Sequence, residues 1–432
     1  MTAREMVADE AAAMVRTRDS VGFGLITATP GALLGALSRR SDWEDLTVCG
    51  GLTLGNFALF THPGVHYRCQ FMGGADRHYR DQGGDVQYVP SFFRHYGVMM
   101  QRLGIRVMLV AGSMPDAHGE VSVSLYNGAT LEECRRAGRD PSRLLIVECS
   151  PHYPRTLALE GHSNTLSLDE IDVVVYTDEH PMVIANEAPT PVDEAIARHA
   201  APFIPDGATL QTGIGAVPSL VAQALAAGQG GDYGIHSEMF TDGLYQLMRV
   251  GKVTNQRKTI NRGVGVITFS AGSQELYDFI HENPLVRMAP VQYTNDPSVI
   301  AKNHRMVSIN SALEVDLLGQ LGAESIGARQ FSGVGGHQDF VEGTSLSTEH
   351  VSLICLPSTA TTASGERRSR IVASMSPQGA VTSPRQLAGV VVTEHGAADL
   401  RGRTVRERAV ALAAVADPAF RDELAEHARH LG

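Results

Sequence analysis

Glu238 stands in Gly234-Ile235-His236-Ser237-Glu238-Met239-Phe240, behind a Gly-Ile-His run that reads as the end of a buried strand. Met239, Phe240, Leu244, Leu247 and Met248 follow at helical spacing, which predicts that Glu238 leaves a strand-to-helix turn. Scaffolds tend to present reactive groups at such turns. Two further signals lie downstream: Ser308-Ile309-Asn310-Ser311, and the glycine-rich stretch from Gly333 through Gly335 and Gly336 to Phe340. One carboxylate, one amide and one run of bare backbone suit covalent chemistry at an acyl carbon. The competing reading is a helix N-terminal glutamate held there by the helix dipole. Asp116, His118 and Glu120 alternate along one segment and would suit a zinc hydrolase, but no second cluster at metal spacing completes such a site. No metal is expected.

These residues need elements to hold them. Val21-Gly22-Phe23-Gly24, Pro30 and an apolar helix over 32–37 recur as Leu210-Gln211-Thr212-Gly213-Ile214-Gly215, Pro218 and an apolar helix over 220–225. Neither copy completes a dinucleotide fingerprint, and no Walker A sequence exists. Short β-branched runs at 107–110, 144–147, 171–176, 264–269, 351–356 and 390–393 alternate with helical patterns. That pattern predicts an α/β protein of two related domains, with mainly parallel sheets covered by helices. The polar, proline-bearing stretch from Thr177 to Pro191 is the linker candidate, dividing the chain into 1–190 and 191–432. The first fifteen residues read as an acidic amphipathic helix. Residues 358–370 read as one long polar loop whose arginines, Arg367, Arg368 and Arg370, are solvated or meet phosphate.

The chain of 432 residues is 43% hydrophobic and 19% charged, which describes a soluble globular protein. A net charge of −11 argues against nucleic acid or an anionic membrane surface as partner. Lysine is confined to Lys252, Lys258 and Lys302, so an anion site here must use arginine, histidine or backbone N–H groups. Five scattered cysteines without a C-x-x-C pair imply a reducing cytoplasm, with Cys149 and Cys355 buried as small hydrophobes. No run approaches the roughly 20 apolar residues that span a bilayer.

Residues 210–221, 234–243, 293–303, 309–320, 331–345, 356–365 and 391–409 follow the order and spacing of the acetyl-CoA hydrolase/transferase family. The chain resembles its 4-hydroxybutyrate, butyrate or acetate CoA-transferases. Residues 84–93, 113–124 and 153–156 extend the resemblance more loosely into the first half. It implies a ping-pong CoA transfer through a glutamyl-CoA thioester at Glu238, whose carboxylate is expected to be ionised at neutral pH with its unperturbed pKa near 4.3. It implies a CoA-binding loop at Gly213, Ile214, Gly215, Ala216 and Val217, joined by Gly333. Gly335 and Gly336 would offer backbone N–H groups to the oxyanion, Asn310 would position the carbonyl, and Glu394 would hold the nucleophile.

The substrates implied are an acyl-CoA thioester and a short-chain carboxylate, with no permanently bound cofactor, in a cytoplasmic homodimer or higher homo-oligomer. His236 is expected to pack. The family's lysine near CoA is missing from 345–351, or replaced by His350. Two alternatives stand beside transfer: an acyl-CoA hydrolase on the same fold, and a metabolite-binding protein that lost turnover, against which the intact set of site residues argues.

Overall fold

The computed structural model describes residues 3–184, 188–213, 215–362 and 364–431; Ile214 of the expected CoA loop lies outside the described residues. Two compact units emerge, one of residues 1–184 and 266–294, the other of 185–265 and 295–432. In the first, eight parallel strands run in the order Arg4–Glu5, Val173–Tyr176, Leu144–Ser150, Val107–Ser113, Arg18–Phe23, Asp45–Gly50, Val65–Cys69 and Asp85–Tyr88. Val107–Ser113 and Leu144–Ser150 are buried along their whole length, which is why they read as unbroken apolar runs rather than alternating ones. Phe23, Phe60, Tyr67 and Tyr79 fill the core on one side, the Phe60 and Tyr67 rings 4.4 Å apart.

In the second unit the strands run Gly234–Phe240, Thr209–Thr212, Met306–Asn310, Val351–Cys355, Val390–Thr393 and Gly396–Asp399, all parallel except the last. Helix Val405–Val415 buries Ala409, Leu412 and Ala413 in a core with Ile354 and Val391. Both copies of the repeat are strand, loop and helix: Arg18–Phe23 with Gly31–Arg39, and Thr209–Thr212 with Ala216–Ala227. Mixed α/β layers with large, mainly parallel sheets match the expected fold class.

Three local expectations need correction. The N-terminal helix spans only Ala8–Ala13, because Arg4–Glu5 pairs as an edge strand beside Val173 and Val174. The polar loop after Ser358 is a hairpin, Thr359–Thr361 against Arg367–Ser369. Strand Gly234–Phe240 carries Met239 and Phe240, and the next helix begins only at Asp242. Glu238 therefore sits inside a strand end, not on the turn. All five cysteines are buried, and no helix among the described residues is long and apolar enough to cross a membrane.

Candidate active site

Ladder pairing between Thr209–Thr212 and the Glu238 strand covers Gly234 and Ile235. At the far end the Thr212 N–H reaches the Ser237 hydroxyl oxygen at 3.4 Å, and that hydroxyl donates to the Met239 carbonyl at 2.6 Å. Ser237 thus serves backbone groups at the strand end while Glu238, the one residue of the strand not fully buried, projects from it. Below, Lys258 is buried and donates to the Ile235 and Val264 carbonyls at 2.8 Å each. Burial pulls its pKa down to about 7. It is a strut for the strand rather than an anion contact.

Glu238 meets two groups that its own sequence neighbourhood does not announce. The Asn295 amide nitrogen donates to Glu238 Oε2 at 2.5 Å and to Asp339 Oδ2 at 3.0 Å. Asn295 and Asp339 are both fully buried. Asp296 fixes the chain just past Asn295 by accepting from the Ser298 N–H at 2.7 Å, as the N-cap of Pro297–Ile300. Asp339 arrives on helix His337–Ser345, whose Phe340 packs with Ile300 and Met306. A Cβ on Gly343 would fall 2.6 Å from that of Ile300, so only glycine lets the helix lie this close. Gly336 caps the same helix and faces the carboxyl directly. A Cβ there would overlap Glu238 Oε2 and lie 2.6 Å from the Asn295 nitrogen. Gly335 before it holds φ at +53°, a left-handed conformation that glycine adopts without strain.

Enclosure sets the electrostatics. Desolvation pushes the Glu238 carboxyl up to about 8; the Asn295 N–H opposes this and the nearby Asp339 charge adds to it. The expectation of an ordinary carboxylate pKa is therefore corrected: near neutral pH Glu238 is mostly protonated in the free site. His337 is held neutral by burial, with its pKa down to about 4, so it brings no cation to the glycine turn.

Residues 272–428 match the acetyl-CoA hydrolase/transferase C-terminal domain. The 4-hydroxybutyrate coenzyme A transferase of Clostridium kluyveri is 37% identical to this chain over 431 residues, 97% of this chain and 96% of that protein. The chain belongs to the acetyl-CoA hydrolase/transferase family. The butyryl-CoA:acetate CoA-transferase of Anaerostipes caccae is 34% identical across 98% of this chain and 95% of its own length. The crystal structure of RipA from Yersinia pestis superposes with a TM-score of 0.90 at 34% identity, covering 99% of this chain and 97% of that one.

Within this family member, the structure separates the residues that sequence grouped together. Glu238, Gly335 and Gly336 converge. Asn310 instead exchanges amide hydrogen bonds with Gln211, at 3.2 and 3.3 Å, tying two strand ends together. Glu394 accepts from the Ser358 N–H at 2.8 Å and hydroxyl at 2.6 Å. Three strands stand between its strand and that of Glu238. Gly213, Gly215, Ala216 and Val217 follow the strand beside Glu238 and open helix Ala216–Ala227, with Gly215 at φ +121°. Gly333 is buried three residues before Gly336.

His236 is buried, its ring 6.4 Å from that of Phe340, and packs as expected. His350 is no CoA cation. It is buried, accepting from the Met306 N–H at 3.0 Å through Nδ1 and donating to the Ala301 carbonyl at 3.0 Å through Nε2. Asp116 uses its oxygens on the His118 and Glu120 N–H groups and on Arg155, which makes the D-x-H-x-E segment a structural turn. No metal-holding cluster occurs among the described residues.

Sequence reasoning missed Asn295 and Asp339 as site residues. Asn295 lay within the matching 293–303 block, and Asp339 three residues past the glycine turn, so position in the blocks was the available signal.

Proposed function

We propose that this chain is an acyl-CoA:carboxylate CoA-transferase that carries CoA between short-chain acids through a thioester on Glu238. The observation that supports this most strongly is the bare Cα of Gly336 against the enclosed Glu238 carboxyl, a close approach that no side chain would allow. In the first step the ionised carboxylate attacks the thioester carbonyl; the C–S bond breaks, CoA leaves as thiolate and an acyl-glutamyl anhydride forms. The thiolate then attacks the glutamyl carbonyl, expelling the acid as carboxylate and leaving glutamyl-CoA. A second acid reverses both steps. Water is consumed nowhere.

Enclosure favours this sequence. The ionised glutamate is costly in the site, whereas its anhydride and thioester are neutral and bear no such cost. The Asn295 N–H, already on Oε2, is placed to serve the oxyanion that develops at that carbon, and one such donor typically contributes about 3 kcal/mol. Asp339 is a positioning residue that acts through Asn295. In this reading Asn310, Glu394, Gly213, Gly215 and the start of helix Ala216–Ala227 line the CoA path along the strand ends, and the oxyanion draws further on the N–H groups of the Gly333 to Gly336 turn.

Two measurements check the reading. Short-chain carboxylates should accelerate CoA exchange strongly while free thiol, followed with a thiol-reactive dye, appears slowly. Thiol released at one rate with or without a carboxylate acceptor would make the enzyme a hydrolase. The second is pH dependence. Because Glu238 must be ionised to attack, kcat/KM for acyl-CoA should rise with pH and level off above about 8. Asp339→Asn removes a charge that raises this pKa, so the rising limb should move to lower pH. An unmoved limb would show that Asp339 has no electrostatic hold on the nucleophile.

A further inference from the structure

The three arginines of the 358–370 segment differ sharply in surroundings. Arg367 pairs with Asp417, and Arg368 pairs with Glu366 at 2.8 Å on the exposed hairpin. Arg370 is half-buried, and its guanidinium makes no hydrogen bond or ion pair among the described residues. Its backbone is pinned: the Arg370 N–H donates to the Ser358 carbonyl at 2.8 Å, and the Val315 N–H donates to the Arg370 carbonyl at 2.8 Å. Ser358 is in turn held through its N–H and hydroxyl by Glu394. Burial works against the guanidinium charge, and the Glu394 carboxylate offsets this only in part. A cation on a fixed backbone, half out of water, with a carboxylate nearby but no hydrogen-bonded partner among the described residues, is poised to take an anion.

Position narrows the ligand. Ser358 follows strand Val351–Cys355, which lies three strands, about 14 Å, from the Glu238 strand, and the Arg370 backbone is hydrogen-bonded to Ser358 at that end. The extended pantetheine arm spans that kind of distance, and ligands of parallel α/β sheets lie across the carboxyl ends of the strands. We propose that Arg370, set by the Ser358–Glu394 pair, binds the diphosphate of CoA whose sulfur is at Glu238. This rests on the CoA-transferase reading above, and it gives Glu394 a positioning part in substrate binding.

The test compares acyl-CoA, acyl-dephospho-CoA and acyl-pantetheine as donors for the full-length wild type, Arg370→Ala and Arg370→Lys. Arg370→Ala should lower kcat/KM roughly ten- to hundredfold for acyl-CoA and acyl-dephospho-CoA, chiefly through KM. It should leave acyl-pantetheine unchanged, and Arg370→Lys should recover part of the loss. Equal losses with all three donors would make Arg370 structural and overturn the proposal, as would no loss with acyl-CoA. A loss that vanishes with acyl-dephospho-CoA would overturn the diphosphate assignment in favour of the 3′-phosphate. Absence of CoA transfer in the wild type would instead sink the underlying function, a distinct outcome.

Discussion

Glu238→Gln should lower CoA transfer by about a thousandfold or more and, in alkaline solution, make the protein more stable than the wild type. The loss of activity follows because an amide cannot attack the thioester and leave as a carboxylate. The gain in stability follows from enclosure. The folded-state pKa of about 8 lies above the ordinary 4.5, so the carboxyl's contribution to stability is full below about 4.5 and is lost as pH rises towards 8. Glutamine keeps an oxygen for the Asn295 N–H and has no proton to lose. Denaturant unfolding should therefore show no difference near pH 4 and a gap on the order of 3 kcal/mol at pH 8.5, reduced from the full shift because the residue keeps some exposure. Glu238→Asp should also be inactive, since it draws the carboxylate back by about 1.5 Å from its donor and from a near-attack geometry.

Gly336→Ala should cost about a hundredfold or more in kcat/KM with little change in the fold. Its φ of −91° suits any residue, so the backbone is not strained by a methyl group. The methyl falls on the Glu238 carboxyl and crowds the Asn295 nitrogen, so the side chain must swing out of its hydrogen bond. Melting curves and steady-state kinetics separate the two effects. In a Glu238→Ala background the same methyl has no carboxyl to displace, so adding Gly336→Ala there should cost less stability than in the wild type, the remainder being its approach to Asn295. A Gly336→Ala enzyme with full activity would remove the close approach as a requirement.

The buried central strands and the family blocks were legible because apolar β-branched runs and glycine spacing are local properties of the chain, whereas edge strands such as Arg4–Glu5, Asp85–Tyr88 and Gly396–Asp399 carry no such run. The end of strand Gly234–Phe240 was not legible either. Met239 and Phe240 are buried in a strand covered on both faces, and such a run looks the same as the first turn of a buried helix. Asn295 meets Asp339 across 44 residues and Glu238 across 57, through packing of segments made possible by Gly343 against Ile300. No local pattern encodes that contact. The same is true of the raised Glu238 pKa, which follows from enclosure. Asn310 and Glu394 were expected beside the nucleophile from their place in the family blocks, and the order of the strands that carry them is invisible in the linear sequence.

The central claim is that Glu238 carries CoA as a covalent thioester. Incubating the protein with acyl-CoA and no acceptor acid, followed by intact-protein mass spectrometry and peptide mapping, tests it most directly. The expected result is one CoA per chain, joined with loss of water, on the peptide containing Glu238, and removed by hydroxylamine. The buried cysteines are not expected to compete, since burial pushes thiols such as Cys355 up to about 12. CoA or acyl mass on Cys355 or any other cysteine, or no adduct under conditions where exchange proceeds, would contradict the account.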